Sequence, residues 1–177
     1  MSDAAVGERP RQRESLRTWV RRQIFNFYPA FWGTGAKVDY IAEDLRAIRI
    51  RLPLNFRTRN IHGTIFGGAM YAATDPLYAL LIKAGLGRGY IVWDKHASIR
   101  YRKPGKTTLF AECRVTDAEL DDLRQRLERE PSVDVSREIA LVDSQGVVHA
   151  VIDKTVFVAK KEAYLRKLEQ TGRDKPG

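Results

Sequence analysis

The stretch from Asn60 to Ala84, NIHGTIFGGAMYAATDPLYALLIKA, decides the fold of this chain. It begins as a polar, glycine-rich loop and continues as a long apolar segment. Apolar residues cover every side of a helix drawn through residues 69–82, and such a helix is typically enclosed by other structure. We therefore predict a buried helix in a small α+β domain, with the loop before it as a candidate ligand site.

Three glycines, Gly63, Gly67 and Gly68, lie in the loop. Glycine permits tight turns and positive φ, and it lets a ligand approach main-chain N–H groups closely. N–H groups at a helix start bind anions because they have no intrahelical partner. The loop therefore predicts a binding site for an anionic group at the start of the buried helix.

Asp75 is the one charged side chain between residues 69 and 82. An enclosed acid without an evident Lys or Arg partner is costly, so Asp75 is a functional candidate. Pro76 follows it, and a proline inside a helix removes an N–H group and kinks the chain. Two arrangements stay open: one kinked helix with a functional Asp75, or two helices in which Thr74 or Asp75 caps the second.

Length and composition fit one globular domain with appendages, because the chain has 177 residues of which 44% are hydrophobic. We predict a disordered arm over residues 1–14, one domain over 15–160, and a charged helix and tail over 161–177. The single cysteine, Cys113, is expected to be a buried thiol. The first residues do not resemble a secretory signal, and a cytoplasmic location is expected.

The formal net charge is +9, which suits nucleic acid, an anionic substrate or an acidic membrane surface. No nucleic-acid motif is present, so nucleic acid is not predicted as a partner, while a membrane surface remains an alternative. No metal-ligand spacing occurs, and no metal or cofactor is predicted. The basic residues form two clusters: Arg9, Arg11, Arg13, Arg17, Arg21 and Arg22 near the start, and Arg100, Arg102, Lys103 and Lys106 after a strand.

An amphipathic helix is predicted from Ser15 to Tyr28, with Pro29 ending it before an aromatic loop, PAFWGTGAK. Packing of its apolar face on the core is the expected arrangement, and a basic helix lying on a membrane surface is the alternative. The residues of this face are Leu16, Trp19, Val20, Ile24 and Phe27.

Alternating apolar residues predict five strands, and one apolar helix with mostly consecutive strands favours an antiparallel sheet curled around that helix. A turn at 143–146 predicts a hairpin, Thr116 and Glu119 form a capping box for a surface helix, and His96 and His149 are expected at polar, outward strand positions. The predicted strands are 45–54, 91–102, 109–115, 133–142 and 147–158, and residues 160–170 are predicted to form a C-terminal helix.

The pattern N-x5-F-G-G-x6-D, formed by Asn60, Phe66, Gly67, Gly68 and Asp75, resembles the hotdog superfamily. It is most similar to acyl-CoA thioesterases of the phenylacetic-acid-pathway type. The resemblance implies an antiparallel sheet wrapped around one long central helix, a homodimer or dimer of dimers, and an acyl-CoA or acyl-carrier thioester as substrate. Residues 25 to 160, with NFYP, GTIFGG, TDP and YIVWDKHASIRYRKPGK, look like a hotdog family catalogued as a domain of unknown function.

The resemblance implies three catalytic roles. Gly68 matches the glycine whose N–H polarises the thioester carbonyl, Asp75 the acid that activates water or attacks directly, and Asn60 an Asn that holds the carbonyl or the water. These roles suit the chemistry, since an oxyanion needs fixed donors and a carboxylate acts as base or nucleophile. In a continuous helix Gly68 and Asp75 lie roughly 10 to 12 Å apart along the axis, so Asp75 is expected to work with Gly68 of another subunit.

The surrounding residues are predicted to bind substrate, with the basic ones near coenzyme A phosphates. Those thioesterases usually have His where this chain has Phe66, and this difference favours an alternative: a non-catalytic acyl-CoA or lipid-binding protein. The loop residue His62 supports a minor alternative, a hotdog dehydratase or hydratase. The predicted substrate-binding residues are Gly67, Phe66, His62, Thr64, Arg57, Arg59 and Lys103.

Overall fold

The structure, a computed structural model, describes residues 14–171. The predicted arm up to residue 13 and the tail from 172 lie outside this part. The described helices are α1 (Leu16–Phe27), α2 (Pro29–Gly33), α3 (Gly67–Thr74), α4 (Leu77–Leu86), α5 (Asp117–Arg129) and α6 (Lys161–Thr171). The strands are β1 (Lys37–Ile41), β2 (Ala47–Leu52), β3 (Tyr90–Tyr101), β4 (Leu109–Arg114), β5 (Ser132–Val142) and β6 (Val148–Lys160).

The six strands form one sheet in the order β1-β2-β4-β5-β6-β3, and all neighbouring strands are antiparallel. The predicted hairpin joins β5 to β6. Its turn is closed by Asp143, whose carboxylate accepts hydrogen bonds from the N–H groups of Gln145 and Val147, and Gly146 has φ +80°. Within this sheet β1 and β3 are the two edge strands.

The hydrophobic core lies between the sheet and the helical segment α3–α4. Alternate residues of β6 face this core, and buried residues of both helices pack with them. The predicted α+β architecture, an antiparallel sheet around a central helical segment, is therefore confirmed. Strand β1 was not predicted, and α2 lies within residues predicted to form a loop. The core includes Ile152, Val156 and Val158 of β6 and Met70, Ala73, Leu77, Leu81 and Ile82 of the helices.

The central segment is broken at Asp75 and Pro76, so the arrangement with two helices is the observed one. Pro76 supplies no N–H group and lies at the cap position of α4, where its carbonyl accepts a hydrogen bond from Leu80. Neither Thr74 nor Asp75 caps α4 with its side chain: Thr74 bonds back to the carbonyl of Tyr71, and Asp75 binds Lys154.

Helix α1 begins as predicted, with Ser15 capping the N–H of Thr18. The expectation that its apolar face packs on the core is wrong. Asn26 instead bonds the main chain of β1 on both sides, donating to the Val38 carbonyl at 3.1 Å and accepting from its N–H at 2.6 Å. The helix therefore docks through this polar contact, because the edge strand presents main-chain groups that need partners, and through the ring of Phe25, which packs edge-on against Phe31 at 4.9 Å between ring centroids. No helix within residues 14–171 is long and apolar enough to cross a membrane.

The prediction of an outward His149 is also wrong, whereas His96 is exposed as expected. His149 is 8% exposed, and its ring nitrogens lie 3.1 Å from the Pro104 carbonyl and 3.1 Å from an Asp143 carboxylate oxygen. It connects the β5–β6 hairpin to the turn after β3. A ring nitrogen that meets a carboxylate can be buried because both polar groups are satisfied.

Candidate active site

The loop before α3 is a short closed turn that is tied to the sheet. Arg59 and Ile65 form an isolated antiparallel bridge, and Gly63 at the tip has φ +78°. The Ile65 N–H donates to the Gly105 carbonyl at 2.8 Å, and the Phe66 N–H donates to the Thr58 carbonyl at 2.7 Å. These bonds fix the direction in which the chain enters α3.

The amide of Asn60 organises this loop from within. Its oxygen accepts hydrogen bonds from the N–H groups of His62 at 2.9 Å and Thr64 at 3.1 Å. Its nitrogen donates to the Thr64 hydroxyl at 3.0 Å. The structure thus uses Asn60 and Thr64 to build the turn, and it leaves the His62 side chain exposed.

Gly67 and Gly68 are the first two residues of α3, so their N–H groups have no intrahelical acceptor. A side chain at either position would displace a neighbouring aromatic side chain. A methyl group at Gly67 would lie 2.7 Å from the Tyr101 hydroxyl oxygen, and one at Gly68 would lie 2.4 Å from the Phe66 ring. The aromatic residue that replaces the usual His therefore lies directly beside the predicted oxyanion donor.

Asp75 lies seven residues further along, where α3 ends. The prediction that it is enclosed and lacks a basic partner is wrong: its side chain is 54% exposed, and one oxygen accepts a hydrogen bond from Lys154 at 2.9 Å. The kink at Pro76 turns the chain so that this carboxylate leaves the helix at the surface. Asp75 thus has one oxygen held by a cation while its side chain is accessible to solvent.

Lys154 was missed by the sequence analysis. Its side chain is fully buried, and it donates to Asp94 at 2.6 Å as well as to Asp75. Burial lowers the pKa of Lys154, but the hydrogen bonds to Asp94 and Asp75 outweigh this effect and hold the pKa above its ordinary value. The alternation of β6 could have revealed this residue, because Lys154 occupies a core-facing position between Ile152 and Val156.

Asp94 reaches Lys154 because of an irregularity in β3. The register between β3 and β6 shifts between Asp94 and His96, and such bulges redirect side chains next to sites. Lys95 lies in the shift and pairs on the outside with Asp134 at 2.5 Å. The second oxygen of Asp94 is buried and has no hydrogen-bond partner among the described residues. Asp75, Lys154 and Asp94, hereafter the lysine cluster, together carry one net negative charge when all three are ionised.

The basic residues predicted to bind phosphates are all exposed. The Arg57 guanidinium lies 4.1 Å from the ring centroid of Trp32 and donates to the Trp32 carbonyl. Arg59 lies in the loop bridge, and Lys103 lies after β3, where its N–H donates to the His149 carbonyl. They therefore lie on segments that border the loop.

Other reactive groups are less suited to chemistry. Cys113 is buried as predicted, and burial raises its pKa to about 12, so it is a thiol and not a thiolate nucleophile at neutral pH. Residues 14–171 contain no cluster of three or more His, Cys, Asp or Glu side chains that could hold a metal ion. The accessible carboxylate of Asp75 is the best-placed base or nucleophile near the helix segment.

Gly68 and Asp75 lie at opposite ends of α3. At about 1.5 Å per residue, their separation of seven positions in the chain corresponds to about 10 Å along the helix axis. One carbonyl group cannot contact both residues of a single subunit at that separation. The arrangement offers an oxygen-binding helix start at one end and an accessible carboxylate at the other.

Comparison with known proteins agrees with this architecture. The family model described as "Domain of unknown function (DUF4442)" matches residues 17–158. A comparison with curated proteins gives no match.

Several solved structures are similar to this chain. A protein from Pseudomonas aeruginosa described as a probable thioesterase has 20% identity and a TM-score of 0.71, over 84% of this chain and 99% of that chain. A thioesterase from Haemophilus influenzae has 14% identity and a TM-score of 0.59, over 83% and 93%. A mutant thioesterase from Pseudomonas aeruginosa has 14% identity and a TM-score of 0.58, over 85% and 97%. At these identities the similarity shows the fold alone, and it confirms the predicted hotdog fold.

Proposed function

Because the chain belongs to the DUF4442 family and has the hotdog fold, we propose that it is an acyl-CoA thioesterase with Asp75 as its general base or nucleophile. The observation that carries the proposal is the accessible carboxylate of Asp75, held in place by the fully buried Lys154. The thioesterases with the same fold support the reaction class.

In the base mechanism, Asp75 accepts a proton from water while the water oxygen attacks the thioester carbonyl carbon. The N–H of Gly68 stabilises the resulting oxyanion. The tetrahedral intermediate then collapses, the C–S bond breaks, and the electron pair leaves with the coenzyme A sulfur, which takes the proton back from Asp75 and restores the carboxylate. The products are a carboxylic acid and a thiol. In the nucleophile version an Asp75 oxygen attacks the thioester carbonyl carbon, the C–S bond breaks and coenzyme A leaves as a thiolate that is protonated by water. A second water then hydrolyses the acyl–aspartate anhydride, which releases the carboxylic acid and restores the Asp75 carboxylate.

Lys154 supports either version. Its ammonium group donates a hydrogen bond to one oxygen of Asp75 at 2.9 Å. The bond holds one oxygen of the carboxylate, and the side chain is 54% exposed, so the other oxygen would be the one that meets water or the thioester. Asp94 shares the ammonium group at 2.6 Å and holds Lys154 in its buried position.

A second subunit is required in this proposal. Gly68 and Asp75 are separated by the length of α3, so each site combines Asp75 of one subunit with Gly68 of the other. The outer side of β3 has no strand partner within the described chain, and edge strands present main-chain groups that can pair with another strand. We place the dimer contact at this edge. Arg57, Arg59 and Lys103 would bind the coenzyme A phosphates.

The test is thiol release from a panel of short-chain, aromatic and long-chain acyl-CoAs, with wild type and Asp75→Asn measured together. We expect turnover by the wild type and a loss of at least about 100-fold in Asp75→Asn, because removal of a positioned base costs about 10²–10⁴ in rate. Asp121→Asn, at an exposed position of α5, is the matched control and should retain full activity. Turnover that survives in Asp75→Asn would contradict the assignment.

A non-catalytic acyl-CoA or lipid-binding protein is the second candidate. The observation that favours it is Phe66, which lies beside Gly68 where related thioesterases usually have a polar His. Isothermal titration with a non-hydrolysable thioether analogue of acyl-CoA separates the candidates. Binding by wild type and Asp75→Asn alike, without thiol release from any thioester of the panel, would establish the binding protein.

A further inference from the structure

Five apolar side chains of α1 face away from the protein, and we call them the outward face. Within residues 14–171 each of them remains at least 40% exposed. They are Leu16 (77%), Trp19 (47%), Val20 (40%), Ile24 (66%) and Phe27 (72%). A contiguous apolar patch of this kind on a monomer marks an interaction site.

The exposure follows from how α1 is attached. Thr18 is 3% exposed, and Asn26 forms two hydrogen bonds with the main chain of Val38. Arg21 donates to the Glu43 carbonyl from the same helix. Because these polar contacts fix the rotation of the helix, the outward face cannot turn onto the core without breaking them.

The rest of the chain offers little to cover this face. Residues 1–13 contain Met1, Ala4, Ala5 and Val6 as their apolar residues, and residues 172–177 contain none. Helix α1 packs against β1, at the opposite edge of the sheet from β3. A dimer formed through β3 would therefore leave the outward face free.

The sequence of α1 and the segment before it is basic. No Asp or Glu occurs between Ser15 and Val38, Arg17 is exposed beside the outward face, and Glu14 is neutralised by Arg22 at 2.8 Å. Arg9, Arg11 and Arg13 precede the helix in sequence. This combination of a basic flank with Trp, Phe, Leu and Ile is typical of helices that lie in the plane of an anionic membrane surface.

A second copy of the chain fits this face less well. An apolar patch of typical size, roughly 300–600 Å², is smaller than the about 800 Å² that each partner buries in a standard interface. Two copies would also bring together molecules that each carry a formal charge of +9. Anionic phospholipid complements both the apolar side chains and the charge.

We propose that α1 binds an anionic phospholipid surface, with the outward face inserted at the level of the headgroups and Arg17 contacting lipid phosphates. This surface is distinct from the lysine cluster, and the proposal does not depend on thioester hydrolysis. It gives the protein a means of working at a membrane, which is where long acyl chains concentrate.

The experiment is co-sedimentation of the full chain with vesicles of phosphatidylglycerol and phosphatidylcholine in equal parts, and with vesicles of phosphatidylcholine alone. The expected result is binding to the anionic vesicles that falls steeply with added salt. Trp19→Ser with Phe27→Ser should reduce the partition coefficient at least about tenfold, because two apolar anchors are lost. Val148→Ser, an exposed apolar residue of β6 that is 37% exposed, is the matched control and should bind as wild type.

Fluorescence gives an independent measure. The chain has three tryptophans, and Trp32→Phe with Trp93→Phe leaves Trp19 as the reporter, whose emission should shift to the blue on addition of anionic vesicles. Absence of binding to anionic vesicles at low salt would overturn the proposal. So would a loss of vesicle binding in Val148→Ser as large as the loss in the variant with Trp19→Ser and Phe27→Ser. If the wild type did not bind vesicles and the variant with Trp19→Ser and Phe27→Ser differed from it only in oligomeric state, the outward face would be assigned to a second copy of the chain instead.

Discussion

At the scale of single residues, the lysine cluster contributes both to the stability of the fold and to the geometry of the candidate active site. Lys154 has no exposed side-chain surface, whereas Asp94 is 26% exposed and Asp75 is 54% exposed. A buried ammonium group requires partners, since an unpaired buried charge is strongly destabilising. The hydrogen bonds from Lys154 to Asp94 and Asp75 compensate its burial in the core, and the one to Asp75 also orients the Asp75 carboxylate.

Lys154→Met tests this coupling. We expect the free energy of unfolding to fall by about 3 kcal/mol, because Asp94 loses the partner that compensates its partly buried carboxylate. Asp75 contributes little to this loss, since exposed ion pairs are weak. Urea unfolding of wild type and variant at equal protein concentration measures the difference.

A second variant and the pH dependence sharpen the test. Lys154→Met combined with Asp94→Leu should recover most of the lost stability, because an apolar pair replaces the ionic one. The pKa of Lys154 is raised above its ordinary 10.5, so its contribution is complete below about pH 10 and is lost as the pH rises through the folded value. A difference between wild type and Lys154→Met that grows above pH 10.5 would contradict this account.

At the scale of elements, α1 shows that hydrophobic periodicity finds a helix without telling which face is buried. Its apolar stripe is exposed, and its attachment depends on Asn26 and the main chain of Val38. In an ordinary surface helix, substitutions on the apolar face reduce stability most. In α1 we expect the reverse: substitutions of the polar residues that attach the helix should reduce the free energy of unfolding more than substitutions on the apolar face.

Asn26→Ala is expected to lower the free energy of unfolding by about 2 kcal/mol, because it leaves main-chain groups of Val38 without partners. Ile24→Ser, on the outward face, should change it by less than about 0.5 kcal/mol. Thermal unfolding monitored by circular dichroism in lipid-free buffer compares the two. If Ile24→Ser were the more destabilising variant, the apolar face would have to be packed in the folded protein.

At the scale of the whole molecule, the proposed site extends over two subunits. The Asp75 carboxylate and the Gly68 N–H lie at the two ends of α3, and the free edge of β3 offers the contact that would join two copies. Subunits that carry different defects should therefore complement one another.

A heterodimer of Asp75→Asn and Gly68→Val subunits, isolated through two different affinity tags, makes this testable. Each variant homodimer should be inactive, and the heterodimer should have about half of the wild-type activity, because one of its two symmetry-related sites is intact. Thiol release from the best acyl-CoA substrate is the measurement. The matched control places both substitutions on one subunit beside a wild-type subunit, which damages both sites and should give no activity. The reverse result would place Asp75 and Gly68 of the same subunit in one site.

The sequence by itself determined the features that depend on neighbouring residues. The apolar run after Gly67 and Gly68 gave the buried helical segment, alternation gave five of the six strands, and 143–146 gave the hairpin. Asp75 was recognisable because a lone acid interrupts an apolar run. These signals are local, since side-chain periodicity and turn chemistry are set within a few residues.

The tertiary structure alone decided which distant groups meet and which surfaces are buried. Asp75 and Lys154 are 79 residues apart in the chain, and they meet because α3 packs against β6. The pairing of β3 with β6 and the irregularity at Asp94 bring the second carboxylate to Lys154. Likewise, the direction of the apolar face of α1 depends on the exposed main chain of β1, which the helix sequence does not contain. Both outcomes required packing, because the energy of a buried charge or an unpaired main-chain group depends on what surrounds it after folding.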